Sequence, residues 1–134
     1  MTIITVDKTI DNTSLKNKFK PESTIYNAIE KSTYIVNIFS EEDLHGFALV
    51  KEDGDGGISA ILLFDKADIL VGKNLVNGIV DISRITKSKY IHVDIKDSDI
   101  GMFKKLGFVL DESSNTNDDL NRMTRRIKKV RFEI

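Results

Sequence analysis

The chain has 134 residues, 40% hydrophobic and 31% charged, an ordinary globular composition and enough length for one packed core without staples. It has no cysteine, which excludes disulfides, thiolate nucleophiles and thiolate metal sites. A formal charge of −1 excludes a global attraction to nucleic acid or to an anionic membrane, and no apolar run approaches the roughly 20 residues of a membrane span.

In chain order, "TIITVD" (Thr2 to Asp7) alternates and predicts a short strand. "NTSLKNKFKPESTIYNAIEKS" predicts helix in two pieces broken at Pro21, which cannot continue a helix interior. Leu15 and Phe19 share a face of the first piece. Ile25 and Ile29, with Tyr26 beside them, share a face of the second, after a Ser23 or Thr24 cap. "TYIVNIFS" (Thr33 to Ser40) and "GFALVKED" (Gly46 to Asp53) are β-branched and aromatic runs separated by the polar "EEDLH", the pattern of a hairpin. "DGDGG" forces a turn, and "ISAILLF" (Ile58 to Phe64) follows as a nearly continuous apolar run, which predicts a central strand buried on both faces.

Val71, Leu75, Ile79 and Ile82, with Val76 and Val80, recur at helical spacing within Val71 to Arg84. "DKADILVGKNLVNGIVDISR" therefore reads as a loop entering an amphipathic helix, with Gly72 and Lys73 at the junction. Helix starts are natural anion seats, although a phosphate cradle usually has two or three glycines where this stretch has one. "YIHVDIK" (Tyr90 to Lys96) places Ile91, Val93 and Ile95 on one face of a strand. Ile100, Phe103 and Leu106 mark a short helix that stops at Gly107. "FVLDE" and "NRMTRRIKKVRF" predict two closing strands around the polar "SSNTNDD". A helix between two buried strands makes them parallel. The predicted fold is α/β (α+β): one domain over residues 1–134, a mixed sheet of about six to seven strands, helices on both faces.

These elements and their punctuation resemble the GNAT superfamily of N-acetyltransferases over nearly the whole chain. "HGFALV" is similar to the strand in which that family sets a glycine before an apolar run. "ILVGKNLVNGIVDISR" is similar to its coenzyme A loop and helix, "MFKKLGFVLDE" to its helix ending in a Leu-Gly-Phe turn, and "NRMTRRI" to its last strand. The resemblance implies a central strand that splays from its parallel neighbour, so that Leu62, Leu63 and Phe64 hold the pantetheine arm of acetyl-CoA and polarise its thioester. It further implies a pyrophosphate seat on the amides of Val71, Gly72, Lys73 and Asn74, and acyl transfer by direct attack of an amine.

The chain departs from the family's pattern in two places. Leu70 stands where the family's loop has its middle glycine and Ala67 where it has Arg or Gln, with Asp65 and Asp68 nearby and Lys73 as the neighbouring cation. Phe103 stands four residues before Gly107, where many members carry a tyrosine acid. Lys96, Asp97 and Ser98 lie where the family often has an asparagine, and Glu41, Glu42 and Asp43 are the acids available as a base. These departures leave a second expectation open, the same fold reused without catalysis as a binding or structural protein.

The remaining signals have plain readings. Asp53 and Asp55 begin a calcium-like loop that fails at Ile58 and Phe64. His45 and His92 stand without ligand-spaced partners, so no metal is expected. No nucleophile elbow or Walker pattern occurs. Arg122, Arg125, Arg126, Lys128, Lys129 and Arg131 form a basic run: a solvated edge strand, or a surface for nucleic acid or an acidic protein, or a homodimer contact through "RMTRRIKKVRF". "MTIITVDKTI" lacks the pattern of a secretory leader. Richness in Ile, Lys, Asn and Asp suggests a bacterial or phage source, so the expected location is the cytoplasm or a virion.

Overall fold

The computed structural model describes residues 1–115 and 120–127. Most of "SSNTNDD", and all of Lys128, Lys129 and Arg131, lie outside the described residues. Seven strands are described: β1 (Thr2–Lys8), β2 (Tyr34–Ser40), β3 (Asp43–Glu52), β4 (Gly57–Phe64), β5 (Tyr90–Ile95), β6 (Val109–Asn115) and β7 (Asn121–Arg126). They form one sheet in the order β1-β2-β3-β4-β5-β7-β6, antiparallel except for the β4–β5 pair. The α-helices are α1 (Thr24–Lys31), α2 (Ile69–Ile85) and α3 (Ile100–Lys105). Among the described residues no helix is long and apolar enough to cross a membrane.

Each face of the sheet has its own core. On one face α2 and α3 bury Leu75, Ile79 and Ile82, with Phe103 and Leu106, against Val36, Val50, Ile58 and Ile91. On the other, α1 and the segment before it bury Leu15 and Ile29 against Ile35, Phe47 and Leu49. Gly78 sets how closely α2 can approach the sheet, since a Cβ there would stand 2.5 Å from Val36 Cγ1.

Several local expectations change. The first helical piece is only a 3-10 turn, Lys16–Lys18. Its Asn, Thr and Ser residues are weak helix formers, and Pro21 ends the segment before an α-helix can repay its nucleation cost. Leu15 is still buried, and the Phe19 ring packs 5.9 Å from that of Phe47. Ser23 is the cap of α1, its Oγ accepting the Tyr26 N–H at 3.1 Å. "EEDLH" is not all loop: β2 and β3 pair down to Ser40↔Asp43, leaving Glu41 and Glu42 as a two-residue turn with φ of 52° and 72°. The sign change at both positions is what such a turn requires to match the strand twist.

The junction of loop and helix lies at Asp68, not at Gly72. Asp68 caps α2 by accepting the Val71 N–H at 3.3 Å, so the helix begins at Ile69. β4 is central but not buried on both faces, because α1 covers β2 and β3 and leaves Ile61 52% exposed. β7 is flanked by β5 and β6 along the sheet, so Arg122, Arg125 and Arg126 are not on an edge strand.

Candidate active site

The parallel pair β4–β5 is joined only by Gly57↔Tyr90, Ile58↔Ile91 and Ser59↔His92. Beyond Ser59, β4 stays on β3 through Gly46↔Phe64, while β5 stays on β7 through Ile95↔Asn121. The two strands part, and the main chain on the inner side of Ala60–Phe64 has no ladder partner among the described residues. A cavity of about 230 Å³ occupies the opening. Residues of both sheet faces line it: Ala60, Leu62, Val93 and Ile95 from the α2–α3 side, Ile61 and Asp94 from the other. The splay therefore opens between the two sheet faces, lined by the apolar Ala60, Leu62, Val93, Ile95 and Phe103 and by the charged Lys66, Asp94, Lys96 and Asp99.

Phe103 closes one wall of this wedge. It is 1% exposed and meets Phe108 edge-on at 5.5 Å. The Lys66 ammonium lies in the wedge wall, 4.2 Å from the Phe64 ring centroid and 5.3 Å from that of Phe103. Burial lowers the pKa of Lys66 from its ordinary value, and Asp99 partly opposes the shift. A lysine so placed gives up its proton more readily than one in water, beside the ring that lacks a phenolic hydroxyl.

A groove of about 540 Å³ runs along α2 toward the end of α3 and β7. Lys73, Arg84, Lys105, Arg125 and Arg126 line it, and among the described residues no carboxylate does. Lys73, Val76, Asn77, Val80 and Arg84 reach it because they recur at helical spacing on one flank of α2. Arg125 crosses from β7 to the end of α3, where its Nη1 donates to the Leu106 carbonyl at 3.0 Å.

The predicted cofactor residues divide unevenly. Leu62 lines the wedge, but the Leu63 side chain packs in the α1-side core. Phe64 packs against Gly72, where a Cβ would stand 2.9 Å from its ring. Gly72 therefore serves the fit of helix on strand. Its N–H bonds to the Asp68 carbonyl at 3.4 Å, and that of Val71 to the Asp68 carboxylate. Lys73 and Asn74 lie far enough into α2 for their amides to be taken by the helical ladder. Of these four residues only Lys73 lines the groove; the amides of Ile69 and Leu70 precede the first helical bond, and Leu70 points outward, 64% exposed. Glu41 and Glu42 sit at the same end of the sheet as the wedge, at the exposed tip of the hairpin.

Sequence reasoning missed Lys66, Arg84 and Lys105. It read Arg125 and Arg126 as part of a tail. Spacing along α2 would have shown Lys73 and Arg84 on one flank; nothing in the sequence places Lys66. His92 was read as solitary, but the parallel register sets it beside Asp53 and Asp55.

No protein-family model matches the sequence, and no curated protein does. Solved structures do match. An acyl-CoA N-acyltransferase from Pseudomonas aeruginosa is 11% identical with a TM-score of 0.72, covering 93% of this chain and 99% of that one. An IAA acetyltransferase from Bacillus cereus is 13% identical with a TM-score of 0.69, over 94% and 99%. The catalytic domain of the Tetrahymena GCN5 histone acetyltransferase, in complex with coenzyme A, is 15% identical with a TM-score of 0.66, over 96% and 94%. The chain has the fold of the GNAT N-acetyltransferases. At these identities the likeness concerns fold, and function has to be argued from the site.

Proposed function

We propose that this protein is an acyl-CoA-dependent N-acyltransferase that acetylates an amine by direct attack. The observation that carries the reading is the unpaired wedge between β4 and β5 together with a groove along α2 that, among the described residues, has five cations and no carboxylate in its lining. Those two surfaces fit the two halves of acetyl-CoA, an apolar-sided arm and a phosphate-rich nucleotide. Lys73, Arg84, Lys105 and Arg126 would hold the phosphates, with the free amides at Ile69 and Leu70 beside them. The unpaired main chain of β4 would fix the arm through its amides and carbonyls.

When bound, acetyl-CoA supplies a thioester carbonyl whose C–S bond is exchanged for a C–N bond to the amine. The wedge residues exclude water from that carbonyl, and the opening admits the amine from the face carrying Ile61 and Asp94. Lys66 would hold a proton at Nζ beside Phe103 and pass it to the sulfur as the C–S bond breaks, while the proton that the attacking amine gives up would leave to solvent on the open Ile61 side. This gives the chain an acid that its phenylalanine cannot supply. The second reading, a cofactor-binding protein without turnover, is favoured by that same phenylalanine.

Calorimetry with acetyl-CoA tests the binding half. Affinity tighter than about 100 μM, roughly −5.5 kcal/mol, supports the reading, and absence of heat with an unchanged melting temperature defeats it. Thiol release with a panel of primary amines then separates the enzyme from the silent binder. Lys73→Glu is the informative site variant, since any side chain at Gly72 disrupts packing before it meets a ligand.

A further inference from the structure

At the opposite end of the β4–β5 pair, the glycine turn before β4 brings two carboxylates against the imidazole of β5. His92 Nδ1 lies 3.0 Å from Thr124 Oγ1, which fixes the ring. Its Nε2 is buried without a hydrogen-bond partner, and the side chain is 12% exposed. Nε2 faces Asp55 Oδ2 at 3.6 Å, and one ligand atom each from Asp53, Asp55 and His92 all lie within 4.8 Å of one another. The 3.6 Å separation is too long for a hydrogen bond. It is close to the roughly 3.4 Å between two ligands of a tetrahedral ion bound at about 2.1 Å.

The charges agree with the geometry. Arg122 feels the charge of Asp53 and Asp55 at a distance, but it is taken by Asp94 through two N–H donors at 3.1 and 3.3 Å. Among the described residues no lysine or arginine nitrogen lies within 4 Å of Asp53 or Asp55. Ser59 Oγ–H donates to Asp53, and the Gly57 N–H donates to Asp55 Oδ1 at 2.9 Å, which leaves Asp55 Oδ2 for another partner. If Nδ1–H donates to Thr124, the Nε2 lone pair faces two anions, an arrangement that calls for a cation.

We infer that Asp53, Asp55 and His92 bind a divalent transition-metal ion of the zinc class, with water completing its shell. An imidazole with two carboxylates suits such an ion, whereas calcium and magnesium take oxygen alone. The ion clasps the β3–β4 turn to β5, beside the three rungs that join β4 and β5. Thr124 orients the histidine and raises its basicity, as outer partners of metal-bound histidines do.

The test is calorimetric titration of the chelator-treated full chain with zinc sulfate, paired with thermal melts. The expected result is one equivalent bound, with a higher melting temperature. His92→Gln and Asp55→Asn each abolish both effects, Thr124→Val weakens affinity about tenfold, and His45→Gln changes nothing. Should His92→Gln fold poorly, Asp55→Asn carries the test, since that side chain is 57% exposed. The inference is overturned by no binding to the wild type, by zinc binding that survives both variants, or by tighter binding of calcium. No residue of the wedge or groove takes part, so the outcome does not depend on acetyl-CoA binding.

Discussion

The two ends of the β4–β5 pair make opposite use of the same two strands. At the first end three rungs hold them together, with Ile58 and Ile91 in the core on one face and the polar Ser59, His92, Asp53 and Asp55 on the other. At the other end the strands part around a cavity of mixed apolar and charged lining, with the partly buried Lys66 ammonium at its wall. A parallel ladder need not run its full length to hold its register, and the unpaired remainder is what can bind. Strand pairing is concentrated at one end and unpaired main chain at the other.

Substitutions that damage one end and spare the other test this division. Phe103→Ala should have the largest effect, about 3–5 kcal/mol of stability, by emptying a fully buried ring site; urea unfolding measures it. Gly57→Ala should cost about 1–3 kcal/mol, because its Cβ would meet His92 Nε2 at 2.8 Å, yet leave acetyl-CoA affinity unchanged. A parallel loss of affinity would mean that the ends are coupled. Lys73→Glu and Arg126→Glu should each weaken acetyl-CoA binding about tenfold, near 1.4 kcal/mol, with little change in unfolding. A steep fall in affinity with added salt should accompany the wild type and shrink in both variants.

Lys66→Met should give the smallest change in stability, read as a slope against pH. Burial lowers the folded-state pKa of Lys66 below 10.5. On raising the pH the folded state therefore loses this proton before the unfolded state does. In that window the unfolded state holds more protons and stability rises with pH. Lys66→Met should remove that rise, and in the proposed enzyme it should lower turnover while sparing acetyl-CoA affinity.

Much of the fold was legible because its elements have strong periods. Ile91, Val93 and Ile95 declared a strand face, and Leu75, Ile79 and Ile82 a helix face, and both are buried as expected. The "KLGF" turn was legible through Gly107, whose φ is 93°. Where the signal was local chemistry rather than period, boundaries moved. Asp68 was read as an unwelcome charge in a phosphate loop and is the cap of α2. The site was less legible because it is made by register. Lys66 meets Phe103 across 37 positions of sequence only after β5 departs from β4. Arg126 joins Lys73 only because β7 folds back beside β5. Phe103 was singled out from "LGF" alone, and it lies in the wall of the wedge.

The tug on β5 has a consequence for how this molecule could be dismantled. β5 shares six rungs with β7 against three with β4, so the fissure is held apart by a strand near the carboxyl end. A version cut before Asn121 would keep Leu62, Lys66, Lys73 and Phe103, yet β5 would be free to zip along Ala60–Phe64 and seal the sheet. Among the described residues that segment lines none of the wedge but gives the groove Arg125, Arg126 and Ile127, so its removal would close the opening and strip the groove at one stroke.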